Sequence, residues 1–426
     1  MTGQFEMDIQ VGQVIPPLQR TIRLTDMVAY AGDRPARDRL GGGPMTEGVA
    51  IVEVAESDLG VTNQTILGLQ TQAITRALAD AGLTLRDVDG LATSGISRFS
   101  ATQLADWLGI QPQWTDSTFA GGSAYEMYVA RAAQAIRAGQ ATTVVISFAS
   151  NQRSARSRSL AGVVEDHTPE AQFETPYAPL YPISYYAMVA QRYLHEFGAT
   201  REQLAEIAVA AREWALLNPK AFRYGAGPLS VEEVLAAPMV SSPLTVADCC
   251  LVTDGGGAVV LTSSERARDL RATPVEVLGY GERTTNTSMT AVDDLTVSGA
   301  AGAVTDALAR AGLTIDDIDV FEVYDSFTIT VALTLEALGV CGRGEALDFI
   351  QGGRIRPGGQ LPLNTNGGGL SYCHPGQYGV LLLVEAVRQL RGECGPRQVA
   401  GARTALAHGT GGIFSTHATV ILGVDR

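Results

Sequence analysis

At 426 residues, with 46% hydrophobic and 18% charged side chains, the chain has the composition of a soluble globular protein. It exceeds the roughly 250–300 residues that one hydrophobic core usually fills, so two lobes are expected. A net charge of −14 speaks against nucleic-acid binding, which needs a basic face over phosphates, and no apolar run reaches the ~18 residues of a membrane span.

The first 44 residues differ in character from the rest of the chain. VGQVIPPLQRTIRLTDMVAYAG (11–32) resembles the opening of the MaoC-type hot-dog hydratases, and GDRPARDRLGGGP (32–44) has the composition of a linker. The stretch stops before the Asp and His that such hydratases use, so no hydratase activity is assigned to it. The working enzyme is expected to begin near Met45, with an N-terminal lobe over 45–265 and a C-terminal lobe over 266–426. The opening MTGQFEMDIQ has neither a basic start nor an apolar core, so no signal peptide is read.

A duplication supports the two-lobe reading. ALADAGLTLRDVDGL (77–91) and ALARAGLTIDDIDVF (307–321) share nine of fifteen residues. Each copy reads as an Ala/Leu-rich helix stopped by glycine, then a turn through Asp, then a short strand. Ala124 to Gly139 has a helical pattern, and 141–150, 255–264 and 416–424 read as strands. Between them, an insertion at about 151–243 carries Tyr177, Tyr181, Tyr185, Tyr186, Tyr193 and Tyr224. It suits a substrate cover, a dimer contact or ordinary packing. Lys220, the only lysine, lies in the polar segment NPKAFRYG and reads as structural. That disfavours Schiff-base chemistry, which needs a desolvated amine. The arginines of NQRSARSRS (Arg153, Arg156, Arg158) suit either phosphate contacts or a solvated loop.

Three segments in the second lobe concentrate chemistry: EVYDSFT (322–328), NTNGGGLSYCHPGQYG (364–379) and AHGTGG (407–412). The middle one places Tyr372, Cys373 and His374 among five glycines, a usual way to hold polar groups on a loop before a helix. The five cysteines (Cys249, Cys250, Cys341, Cys373, Cys394) show no disulfide or metal-ligand spacing. A reducing cytoplasm without a metal site is expected, and Cys249 and Cys250 read as core.

In their order, and with the duplicated lobes, these motifs over roughly 48–426 resemble the thiolase superfamily. The resemblance implies an α/β thiolase fold, five αβαβα layers built from two similar lobes, and a dimer acting on coenzyme A thioesters without a further cofactor. It also exposes departures. The place of the nucleophilic cysteine, before the first central helix, falls on Phe119. The second cysteine's place falls on Ala407 or His408. Tyr324-Asp325-Ser326-Phe327 stands where sterol-carrier-protein thiolases have His-Asp-Cys-Phe. His374 of the Gly-His-Pro loop survives, with Cys373 in the glycine's place.

With the acyl-transfer cysteines missing, the pattern looks like the thiolase-like lipid-transfer-protein aldolases of bacterial steroid side-chain degradation. That resemblance implies a retro-aldol lyase. It would cleave a 17-hydroxy steroid with a three-carbon CoA side chain to a 17-ketosteroid and propionyl-CoA, in complex with the OB-fold domain of a MaoC-type enoyl-CoA hydratase. It assigns catalysis to Tyr324, Tyr372 and His374. Phe119, Asp325, Ser326, Cys373, His408, Gly409, Gly411 and Gly412 become substrate contacts. A thiolase-like acyltransferase and a non-catalytic acyl-CoA or lipid carrier, or hydratase scaffold, remain the alternatives.

Overall fold

A computed structural model of the chain describes residues 48–157 and 167–424. The hydratase-like stretch 11–32, its linker and Arg158 lie outside them.

Eight strands arise from two copies of one unit, and a ninth sits at the edge. In the first copy β1 (Val49–Glu56) leads to α1 (Ile66–Ala81), and then come β2 (Gly90–Ala92) and α2 (Ser100–Leu108). The edge strand β3 (Trp114–Asp116), α3 (Ala124–Arg137) and β4 (Thr143–Ser150) follow. The insertion contributes α4 (Ile183–Phe197), α5 (Arg201–Leu216) and a small separate hairpin, β5 (Met239–Ser241) and β6 (Leu244–Thr245). β7 (Gly255–Ser263) closes this half.

The second copy runs through β8 (Val275–Thr284), α6 (Ala300–Ala311), β9 (Val320–Val323) and α7 (Thr328–Leu338). It ends with α8 (Gly379–Arg391), β10 (Thr404–Gly411) and β11 (Thr416–Gly423). The strand order is β3-β2-β4-β7-β1-β8-β11-β10-β9. Reading inward from each end, β2-β4-β7-β1 matches β9-β10-β11-β8, with the first pair parallel and the others antiparallel in both halves. The halves join where Ala50 and Ile51 pair with Glu276 and Val275.

The repeated sequence explains the repeated joints. α1 and α6 stop at Gly82 (φ 77°) and Gly312 (φ 66°), left-handed positions that glycine takes without a Cβ clash. Each is followed by a capping box, Thr84 with Asp87 and Thr314 with Asp317.

Alternation along the strands sorts side chains into layers. Val145, Ala258 and Val260 face α1 and α2, while Val144, Ile146, Val259 and Leu261 face the interior with α3 and α8. In the second half Ala405, Ala407, Val420 and Leu422 face those same central helices, and Leu406 and Ile421 face the outer layer of α4, α5, α6 and α7. The order is helix, sheet, helix, sheet, helix. Both central helices begin beside the ends of β9 and β10, so the three motif segments meet there.

Candidate active site

Tyr324 follows β9 directly. Its N–H donates to the His408 carbonyl at the end of the neighbouring strand (2.9 Å). Its ring lies against Gly122, two residues before α3, where any Cβ would overlap the phenol. The backbone of His374 is held by Thr253, whose hydroxyl accepts the His374 N–H (3.0 Å) and whose own N–H reaches the His374 carbonyl (3.2 Å). Gln152 adds a bond to that carbonyl at 3.3 Å. These anchors bring His374 Nε2 within 3.0 Å of the Tyr324 oxygen, with the rings perpendicular. Tyr378 backs the pair, stacked on His374 and edge-on to Tyr324, its hydroxyl donating to Asn366 Oδ1 at 2.8 Å.

The tautomer follows from the other ring nitrogen. The Gly376 N–H points at Nδ1 (3.4 Å), making it an acceptor. In the neutral ring the proton then sits on Nε2, and His374 donates to the Tyr324 oxygen. The phenol keeps its own proton for a substrate. Burial, followed by the neighbouring Cys250 and Tyr186, pushes the Tyr324 pKa well above the usual range. Tyr324 is therefore a neutral acid whose conjugate base has a donor ready.

Tyr372 is not part of this pair. Its hydroxyl donates to Glu56 Oε1 (3.0 Å) in the interior. Burial alone would raise the Glu56 pKa, but Arg388, which grips both carboxyl oxygens, and Lys220 (3.0 Å, 57% exposed) hold it well below the usual range. The reason Tyr372 and His374 part company is local. Residues Gly368–Tyr372 form a wide π-type turn, entered at Gly367 with φ 105° and left through extended Cys373. Tyr372→Phe is therefore expected to cost about 1.5–3 kcal/mol of stability for a lost bond to a charged group. Turnover should stay near the parent's, which urea unfolding and a rate assay check together.

Other expected contacts are also corrected. The buried Asp325 carboxylate accepts the N–H groups of Gly369 (2.6 Å) and Leu370 (3.1 Å), so it clamps the glycine-rich loop. Burial pushes its pKa up to about 7 against the pull of those amides. Cys373 is fully buried, its sulfur 3.1 Å from Thr253 Oγ1 and its thiol pushed up to about 12 by burial, so it does not reach solvent. The His408 ring turns to Thr419 Oγ1 (2.8 Å) and stacks on His417, and burial keeps it neutral. Gly409 and Gly411 are packing positions, where the end of β10 presses on the start of α3.

The remaining residues lie nearer the surface. Gly412 is exposed, and its carbonyl accepts the Tyr186 hydroxyl at 3.0 Å. Ser326 is half-buried and bonds Thr330 Oγ1 at 3.0 Å. Phe119, 69% exposed, lies near Gly95 and Gln377 and lines a 330 Å³ surface cavity. Sequence reasoning missed Tyr186, Tyr378 and Cys250. Cys249 and Cys250 are half-buried, not buried as expected, and Cys249 packs against the outer core; the Cys250 N–H bonds the Ser326 carbonyl at 2.9 Å. Arg153 is engaged by the Val252 carbonyl (2.9 Å) and the Phe222 ring. Among the described residues no cluster of three His, Cys, Asp or Glu is placed to hold a metal, and no helix is long and apolar enough to cross a membrane.

Two matched halves with their central helices starting at one site define a thiolase fold. The family model "Thiolase C-terminal domain-like" matches residues 281–424. The chain is 36% identical over 359 residues (80% of it, 91% of the relative) to a 17-hydroxy-3-oxo-4-pregnene-20-carboxyl-CoA lyase of Mycobacterium tuberculosis. It is 36% identical over 400 residues (91% and 99%) to a steroid side-chain-cleaving aldolase of Thermomonospora curvata. The solved "Ltp2-ChsH2(DUF35) aldolase" superposes with a TM-score of 0.81 at 33% identity, covering 89% of this chain and 98% of that one. Human mitochondrial 3-ketoacyl-CoA thiolase shares the fold at a TM-score of 0.65 and 19% identity, over 89% and 99%. The chain belongs to the thiolase superfamily, in its group of steroid side-chain-cleaving aldolases.

Proposed function

We propose that this chain is a carbon–carbon lyase that cleaves a bulky β-hydroxyacyl-CoA by a retro-aldol reaction, with Tyr324 as its acid–base group. The observation that carries the reading is the 3.0 Å Tyr324–His374 contact, and the resemblance, which puts Phe119 in the sequence position of the acyl-accepting thiol, supports it. In the cleavage, the hydroxyl proton leaves, the O–H electrons form the ketone, and the Cα–Cβ pair passes to the thioester as an enolate. The enolate is then protonated at Cα. One proton moves from hydroxyl to carbon overall. A phenol with a raised pKa is a poor standing base, so Tyr324 acts as a relay: as the Cα–Cβ bond breaks it takes the hydroxyl proton and passes its own to the thioester oxygen, and that proton then moves to Cα. The His374 Nε2–H supports the negative charge that the phenol oxygen carries meanwhile. The thioester is the electron sink, so the step needs neither lysine nor metal.

A bulky acyl group has room nearby. The turn between β10 and β11 carries Ile413 and Phe414, and beside it lies a 320 Å³ cavity lined also by Val189, Met289, Val292 and Leu295. Phe414 packs on Tyr186, which neighbours Tyr324. The substrate proposed is a 17-hydroxy steroid with a three-carbon CoA side chain, giving a 17-ketosteroid and propionyl-CoA. The names of the two curated relatives support that choice. The two-part name of the solved relative supports a partner subunit. The partner proposed is the OB-fold domain of a MaoC-type hydratase, bound to a homodimer of this chain.

Acyl transfer is the second reading, because Cys250 puts a thiol beside Tyr324. Cys250 sits on an extended segment and not at a helix N-terminus, so it lacks that means of lowering a thiol pKa. The discriminating experiment is turnover by Cys250→Ala with added free CoA present. A lyase rate within about threefold of the parent and no transfer product are expected. Loss of all turnover together with CoA-dependent transfer in the parent would favour the second reading.

A further inference from the structure

Glu126 lies in the first turn of α3, and the retro-aldol cleavage does not use it. Its side chain is 1% exposed, and neither carboxyl oxygen has a hydrogen-bond partner among the described residues. The carboxyl fills a slot walled by glycines. A Cβ at Gly379 would lie 2.7 and 3.0 Å from its two oxygens and would overlap the Gly122 carbonyl, and a Cβ at Gly409 would overlap the carboxyl and Ser123. Each glycine belongs to a segment that sets the site. Gly122 supports the Tyr324 ring. Gly379 follows Tyr378, which stacks on His374. Gly409 follows His408, whose carbonyl holds the Tyr324 N–H.

We infer that Glu126 is a positioning residue: as a neutral acid wedged between the starts of α3 and α8 and the end of β10, it sets the spacing that brings Tyr324 to His374. This rests on the proposed roles of Tyr324 and His374. A bare carboxylate in that slot would have no donor beyond its own backbone N–H, so the group keeps its proton, and burial, opposed only by that backbone bond, pushes its pKa up to about 8. The titratable groups on the surrounding elements are Tyr125 on its own helix, Tyr324, Tyr378 and His374 at the site, and His408 on β10. The phenols are pushed up, and His408 is held neutral. Glu385, further along α8, is paired with Arg397.

A carboxyl raised from 4.5 to about 8 on folding contributes stability that is complete below pH 4.5 and is lost as pH rises to about 8. Glu126→Gln keeps shape and neutrality and lacks that dependence.

The test compares the parent, Glu126→Gln and Glu126→Ala. The parent's kcat should fall above about pH 8 with KM little changed. The Gln variant should match it within about threefold at pH 7 and hold its rate beyond that limb, while the Ala variant loses kcat throughout. Two readouts need no substrate. The parent's melting temperature should decline from pH 5 to 8 more steeply than the Gln variant's. The His374 ring N–H resonance, assigned with His374→Gln, should broaden above pH 8 in the parent and persist in the Gln variant. A Gln variant with the parent's alkaline limb, or with the same His374 behaviour, would overturn the inference. If the parent showed no lyase turnover, the functional reading would fail while the melting and resonance comparison still decided the role of Glu126.

Discussion

Tyr324→Phe is expected to lower turnover by about 10²–10⁴-fold, the range for losing a positioned proton-transfer group, while substrate binding changes little. Only the hydroxyl is removed. The ring keeps its place against Gly122 and Tyr378, and the backbone bond to His408 is untouched. The loss should therefore fall on kcat and not on KM. It should exceed the effect of Tyr372→Phe by orders of magnitude, although the two tyrosines lie in neighbouring motifs and both are buried. A rate assay paired with calorimetric binding of the CoA ester reads both quantities. Equal and severe losses in the two variants would return Tyr372 to the chemistry.

Arg388→Leu is expected to cost the fold about 3–5 kcal/mol, the usual penalty for leaving a buried charge without its partner. Glu56 is buried against Arg388, and its remaining partners are the largely exposed Lys220 and the Tyr372 hydroxyl. The pH dependence identifies the mechanism. In the parent the Glu56 pKa is depressed, so its contribution is present above the unfolded value near 4.5 and is lost only as pH falls through the folded value. In the variant the unpaired carboxylate is the defect, so acidification that protonates it should narrow the gap to the parent. Urea unfolding at pH 7 and pH 5 measures this. Because Glu56 also holds Tyr372 and α8, some loss of turnover should accompany the loss of stability.

What the sequence made legible depended on how local the signal was. The helix–glycine–turn–strand repeat is decided within fifteen residues by propensity, capping and the need of glycine for positive φ, and the matching sheet order follows from it. The three motifs converge as their order suggested, because β9, β10 and α8 meet at the same place. Side-chain direction was not legible. Tyr372 and His374 would share a face on an extended strand, but the turn at Gly368–Tyr372 rotates Tyr372 toward Glu56, 316 residues away in sequence. Glu126 reads as an ordinary polar residue at the start of a helix. Only the close approach of two glycines from distant segments, Gly379 and Gly409, shows that it is enclosed. Tyr186 was one of many aromatics in the insertion; its bond to the Gly412 carbonyl and its ring contact with Phe414 place it against the turn between β10 and β11.

The most direct test of the central claim is mass spectrometry of the products from a 17-hydroxy steroid carrying the three-carbon CoA side chain, incubated with the chain together with the proposed hydratase partner and an excess of free CoA. The account predicts equal amounts of 17-ketosteroid and propionyl-CoA, no dependence on the added CoA, and no such products from Tyr324→Phe. A new acyl-CoA formed from the added CoA, or full cleavage by Tyr324→Phe, would contradict it.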